Sequence, residues 1–251
     1  MLYGLYVSAA GAMANSYRQD VATNNLANVG TVAFKSDLAM LKARRTEASL
    51  SGQQHSTTAL LEGIGGGTYA LPNRTVFKQG PLSQTERPLD LALNGQGFFQ
   101  IQKDDQTLYT RDGRLSSDTN NQLITATGQH PILDIQGRPI IIDPSSNVEI
   151  NPAGMVVQNG ELIGQLGIVD FDDKSVLKKQ GENLFVADQS AKPTASAAVV
   201  SQGHIEESDV NAIDQQVKLM KYFQLFNMNS QMLKIQDRTL EMAVSQIAKI
   251  G

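Results

Sequence analysis

Apolar residues recur in steps of four and three along the C-terminal part of the chain. Leu219, Phe223, Phe226, Ser230, Leu233, Asp237, Leu240, Val244 and Ile247 trace this heptad, with two polar interruptions. That is the spacing of a helix packed along one seam. A second stripe, Leu225, Met228, Met232, Ile235 and Met242, runs beside it, so the apolar face is wider than a two-helix seam needs. The helix is predicted to start near "EESDVN", where Ser208 or Asp209 can cap the first free N–H groups. Lys249 falls in its last turn, where a cation is favourable.

A second helix is predicted over 3–28. Tyr6, Ala10, Met13, Tyr17 and Val21 share one side, and Ala9, Ala10, Gly11, Ala12 and Ala14 form a surface of small residues that lets another helix approach closely. Isolated helices are marginal in water, so the two terminal helices pair at least with each other. The surplus apolar face then asks for other chains.

The pattern changes at 24–37, "NNLANVGTVAFKSD". Asn24, Asn25, Asn28, Gly30 and Thr31 are expected to end the helix, since Asn and Gly accept left-handed conformations. Leu26, Val29 and Phe34 would anchor the chain as it leaves the helical layer, with Phe34 against a β domain or a neighbouring subunit.

All eight prolines lie between Pro72 and Pro193, and no glycine occurs from His204 to Ile250. Both residues oppose helix, so helical ends flank a non-helical middle. Short runs such as "GFFQIQ", "QTLYT" and "PIIID", broken by "KDDQ", "DG", "DTNN" and "DPSSN", read as hairpins of an antiparallel sheet. The polar, small-residue stretch 36–71 is expected to be an extended arm. The fold class is therefore α+β, with the terminal helices packed as a coiled-coil-like pair and a central, mainly antiparallel β domain. The expected parts are 1–35, 36–71, 72–205 and 206–251.

With 21 basic and 25 acidic residues the net charge is −4, which leaves no cationic footprint for nucleic acid. No apolar stretch is long enough to insert in a membrane. The start, "MLYGLYVSAAGAMANSYRQD", lacks a basic n-region and is not read as a cleaved signal peptide. Cysteine is absent, which removes disulfides and thiolate chemistry. His55, His130 and His204 stand apart from one another, so no metal or cofactor is expected. "GIGGGT" (63–68) lacks the Lys-Ser/Thr of a phosphate loop and reads as a hinge. The carboxylates of "KDDQ" and "FDDK" fit solvated turns, and "NRT" (73–75) is a glycosylation sequon by pattern only. No nucleophile elbow is present, and the chain is expected not to be an enzyme.

Three blocks in order, "SAAGAMANSYRQDVATNNLANVGTVAFKSD", "RPLDLALNGQGFFQIQ…YTRDGRL" and "EESDVNAIDQQVKLMKYFQLFNMNSQMLKIQD", closely resemble the signatures of bacterial flagellar basal-body rod and hook proteins. The length and the "FKSDLA" continuation favour a proximal-rod member, ahead of a distal-rod or hook-like one. The chain departs from the pattern at Ala33, where Gly is common, and at "LMKYFQLFNMNSQ". The resemblance implies a structural subunit whose terminal helices form the core of an axial tube. Its partners would be itself, the other axial proteins and the flagellar type III export apparatus. Its place would be the periplasmic rod, reached by export without a cleaved signal. A secreted β-domain binding module, its termini merely clamped by helices, is the alternative of a different class.

Overall fold

Pairs of consecutive apolar residues explain the central sheet. Phe98-Phe99, Leu108-Tyr109 and Leu184-Phe185 are all buried, yet neighbours on a strand point to opposite faces. Both faces of this sheet must therefore be covered. The computed structural model, which describes residues 2–44, 67–104, 106–188 and 190–247, shows this arrangement. Phe99, Leu108 and Leu184 enter the main core with Leu91, Leu93, Ile101, Leu115, Leu123, Ile132 and Leu166. Phe98, Tyr109 and Phe185 enter a second, aromatic cluster with Phe171 and Leu177. Its rings meet edge to face, Tyr109 on Phe171 at 4.9 Å and Phe77 on Phe98 at 5.5 Å, the geometry that ring quadrupoles favour. Each such buried side chain stabilises the fold by about 1.5–3 kcal/mol.

The elements run α1 (Leu2–Ala27), β1 (Asp37–Ala43), β2 (Thr68–Thr75), β3 (Leu82–Gln84), β4 (Leu91–Asn94), β5 (Phe98–Lys103), β6 (Gln106–Thr110), β7 (Leu115–Ser117) and β8 (Leu123–Thr125). There follow β9 (Val148–Ile150), β10 (Met155–Gln158), β11 (Glu161–Gln165), β12 (Ile168–Asp170), a 3-10 turn (Lys174–Val176) and β13 (Leu177–Lys179). The chain ends with β14 (Leu184–Ala187), β15 (Thr194–Ala195), β16 (Val199–Gln202), β17 (His204–Glu206) and α2 (Ala212–Ile247). The largest sheet has the order β13-β14-β6-β5-β12-β15, and its pairings are antiparallel. A three-stranded sheet, β11-β10-β9, and the pairs β16-β4, β17-β3 and β7-β8 accompany it. The architecture is α+β, with the two terminal helices packed on each other and a central antiparallel β domain.

Two compact units form. One holds Met1–Ala27, Asp37–Arg74 and Asn211–Gly251, and the other holds Asn28–Ser36 and Thr75–Val210. The arm expected over 36–71 begins and ends as the two strands of a ribbon, β1-β2. Its stretch 45–66, with His55 and most of "GIGGGT", lies outside the described residues.

Two expectations about helix ends are corrected. α1 runs through Asn24 and Asn25 to Ala27, so neither residue terminates it. The turn after it is made by Asn28 and Thr31. The Thr31 N–H donates to the Asn28 carbonyl at 3.1 Å, and its hydroxyl bonds the Asn28 side-chain oxygen at 3.1 Å. The residue with a left-handed backbone is Ala33, at φ 58°, and not Gly30. At the other end, Ser208 and Asp209 do not cap α2. Asn211 does, its side-chain oxygen accepting from the Asp214 N–H at 3.1 Å, because Asp209 is engaged elsewhere.

Ala33 is fully buried, and its conformation carries about 1–2 kcal/mol of strain for an L-residue. Ala33→Gly removes that strain but loses a buried methyl and adds unfolded-state entropy. The expected net change in thermal or urea unfolding is therefore within about 0.5 kcal/mol. Ala33→Val, β-branched in the same conformation, is expected to destabilise the β unit by about 2 kcal/mol or more.

Candidate assembly interface

In the first unit, α1 and α2 lie antiparallel with heptads facing heptads. Gly4 meets Gln236, Gly11 meets Asn229, and the Arg18 guanidinium lies over the Tyr222 ring at 5.7 Å. A Cβ at Gly4 or Gly11 would come within 3.0 Å of the facing amide group. The small residues of α1 thus serve close helix approach. Leu219, Phe226, Leu233 and Leu240 share this seam, half-buried, with Tyr222, Asn229 and Gln236. Phe223 and Val244, expected on the heptad, are exposed instead. The Ile247 side chain and Lys249 lie outside the described residues.

The expected α1 stripe is largely occupied by the same chain. The Tyr6 hydroxyl accepts from Arg44 at 2.8 Å, and the Tyr17 hydroxyl donates to the Leu71 carbonyl at 2.7 Å. Gly67 lies against Ala10, and Val21 is buried. Of the five residues Met13 is 68% exposed, and Tyr6, despite its bond to Arg44, is 48% exposed. Asn25, also buried, holds the start of β1. Its amide donates to the Asp37 carbonyl and accepts from the Asp37 N–H, both at 2.9 Å. The side chain thereby acts as a substitute peptide group. Leu26 is half-buried and Asn24 exposed.

The other side of α2 carries an apolar face with no partner in the chain's described residues. At 100° per residue, Ile213, Val217, Met220, Met228, Ile235 and Met242 fall within an arc of about 80°, opposite the α1 seam, interleaved with Gln224, Gln231 and Arg238. All six are exposed, Met220 and Met228 at 61% and Ile235 at 59%. Single exposed apolar residues are ordinary, but a row of six along one helix marks an interaction surface.

In the second unit, residues 32–36 lie as a strap on the β domain. Asn183 donates to the Val32 carbonyl at 2.8 Å, and the Ala33 N–H donates to the Glu206 carbonyl at 2.7 Å. Phe34 is buried within its own chain's β unit, with the Lys179 ammonium 4.3 Å from its ring centre. The Ser36 N–H and hydroxyl donate to the Asp209 carboxylate at 2.7 and 3.0 Å. The Val76 N–H donates to the Ser36 carbonyl at 2.8 Å.

Beneath the strap two cations share one carboxylate. The Lys35 ammonium pairs with Glu206 and donates to the Lys78 carbonyl at 2.6 Å. The second Glu206 oxygen takes Arg111 at 3.2 Å, and the Gly80 N–H reaches the first at 2.9 Å. Gly80 is required there, since a Cβ would lie 2.1 Å from the Glu207 carbonyl oxygen. Arg111 also donates to the Leu93 and Gly95 carbonyls and stands over the Phe98 ring at 5.5 Å. The Lys35, Arg111 and Glu206 side chains are 2%, 7% and 0% exposed. Sequence reading missed this group. Its one visible signal was a lysine following the buried Phe34 in "VAFKSD".

Burial pushes Lys35 below the ordinary lysine range. Glu206 and Asp209 oppose that shift, and Arg111 adds to it. A lysine whose folded pKa is depressed contributes stability that is full above its unfolded pKa of 10.5 and lost as pH falls through the folded value. The unfolding free energy of the chain, minus that of Lys35→Met, should therefore rise with pH up to that limit. The subtraction removes the opposing alkaline effect of Tyr109, whose pKa burial raises.

No group of three or more His, Asp or Glu side chains placed to hold a metal occurs among the described residues. Asp104 sits in the β5-β6 turn, and Asp173 caps the 3-10 turn by accepting from the Ser175 N–H at 2.8 Å. His204 lies on β17 beside the Gln202 carbonyl.

An antiparallel helix pair with an uncovered apolar face, joined to an antiparallel β domain, is therefore the frame for comparison with known proteins. Residues 5–35 match the family described as "Flagella basal body rod protein". Residues 92–158 match "Flagellar hook protein FlgE/F/G D1 domain", and 201–246 match "Flagellar basal body rod FlgEFG protein C-terminal". The flagellar basal-body rod protein FlgG of Buchnera aphidicola subsp. Acyrthosiphon pisum is 33% identical, over 96% of this chain and 98% of its own length. FlgF of Caulobacter vibrioides is 30% identical over 98% and 97%, and FlgG of Bacillus subtilis 30% over 98% and 99%. Similarity of this extent, from the helix pair through the β domain, makes the chain a member of the flagellar basal-body rod protein family, a structural subunit of the flagellar basal body.

Proposed function

We propose that this subunit polymerises with copies of itself and with other axial proteins into the periplasmic rod, and that the outer face of α2 is one of its joining surfaces. The observation that carries this is the row Ile213, Val217, Met220, Met228, Ile235 and Met242, exposed on the side of α2 away from α1. A contact between that face and a different surface of the next subunit does not close on itself, and such contacts build helical filaments. Phe223 and Val244 of α2 and Met13 of α1, also exposed but outside that face, are further contacts. The role is mechanical and not enzymatic.

The proximal segment of the rod is the proposed position. The "FKSDLA" continuation and the length support it, while relatives named FlgF and FlgG match to similar extents. The subunit reaches that position through the flagellar type III export apparatus. Basal bodies purified from cells carrying an epitope-tagged chain test this. Label at the inner end of the rod is expected. Label at the hook-proximal end would move the chain to the distal rod, and its absence from basal bodies would refute the reading.

A further inference from the structure

The strap and the β domain beneath it are held by different kinds of force. The β domain is closed by a large apolar core and an aromatic cluster. The strap buries Ala33 and Phe34, and its remaining hold is polar, through Val32, Lys35 and Ser36. Two unfavourable features are concentrated in it. Ala33 is left-handed, and Lys35 adds a second cation to a dry site that already has one. Taking Lys35 away leaves Glu206 with Arg111 and the Gly80 N–H, a neutral and hydrogen-bonded pair. The seat therefore does not depend on the strap, whereas docking desolvates an ammonium whose charge burial disfavours.

We propose that residues 32–36 are a releasable strap that docks and undocks as one body on a seat that stays formed in the β domain. Released, the strap joins the following Asp37 to the end of α1 through a free segment, 28–36. A subunit can then take its place among its neighbours with the strap free and neither unit unfolded. Only this last consequence rests on the rod-subunit reading.

Native-state hydrogen exchange of the full chain tests the strap itself. The amides of Ala33, Ser36, Val76 and Asp209, which bond across the docking line, are expected to exchange at one common rate. That rate should be at least tenfold faster than for Ile101 and Leu108 in β5-β6. Lys35→Met, which removes the second buried cation and keeps the apolar stem, should slow the strap amides at least threefold and leave β5-β6 unchanged. A chain with 32–36 replaced by a Gly-Ser segment should keep β5-β6 protection. Strap amides exchanging only with β5-β6, or loss of β5-β6 protection in the replaced chain, would overturn the proposal. Ser36→Cys with Asp209→Cys, in a chain that has no other cysteine, should lock the strap when oxidised and block incorporation into rods until reduced. Normal incorporation of the oxidised chain would overturn the assembly consequence. If wild-type chain is itself absent from rods, the rod reading fails while the exchange result stands.

Discussion

Glu206→Gln is expected to be the most damaging single polar substitution in the β domain, lowering its unfolding free energy by about 3–5 kcal/mol. The glutamine has nearly the shape of the glutamate and can still accept from Gly80. It carries no charge, however, and Lys35 and Arg111 both pair with the carboxylate it replaces. Lys35 can escape to water with the strap. Arg111 cannot, because it is held under the domain by the Leu93 and Gly95 carbonyls and the Phe98 ring. The cost is that of an uncompensated buried charge. Lys35→Met removes the other end of the same short ion pair, yet should change stability by less than about 1 kcal/mol, since a neutral pair remains. Urea unfolding followed by tyrosine fluorescence, with Tyr109 inside the aromatic cluster, reads both variants. Equal losses for the two would show that the group is a simple ion pair and not two cations sharing one anion.

The second large effect separates the two faces of α2. Leu233→Asp puts a carboxylate on the α1 seam and should destabilise the helix pair by several kcal/mol, about the penalty for an unpaired charge in an apolar contact. The β domain, with its own core, should melt as before. Met228→Glu with Ile235→Glu changes the opposite face, where both side chains are exposed in the single chain. The helical circular dichroism and its melting should move by no more than about 0.5 kcal/mol. The expected loss is in assembly, with the double variant soluble, present in cells and missing from purified basal bodies. A fall in helix stability as large as that of Leu233→Asp would return Met228 and Ile235 to the monomer.

The helices were legible because their periodicity is local, and the β domain because turn residues punctuate it. The seam was only half legible. Leu219, Phe226, Leu233 and Leu240 lie on it, but a heptad leaves a choice of neighbour at the alternate positions. Hydrophobicity favoured Phe223 and Val244, whereas the chain uses Tyr222, Asn229 and Gln236. The reason lies on the other helix, where Gly11 and Gly4 leave room for an amide group that no larger residue would. The start of α2 was misread because Asp209, a good cap in isolation, is taken by Ser36. The Lys35–Glu206 pair spans 171 positions of sequence, and no local pattern announces such a contact. It also revises what counts as the β domain. Because 28–36 and 206–210 belong to that unit, a fragment starting near 70 and stopping at 205 would leave Arg111 without its carboxylate.

The outer face of α2 as a joining surface is tested most directly by photo-crosslinking within intact basal bodies, with a photoreactive phenylalanine placed at Ile235 and, separately, at Leu233. Residue 235 should crosslink to another axial chain, and residue 233 to α1 of its own chain. Intact rods in which residue 235 forms no crosslink to another subunit would contradict the account.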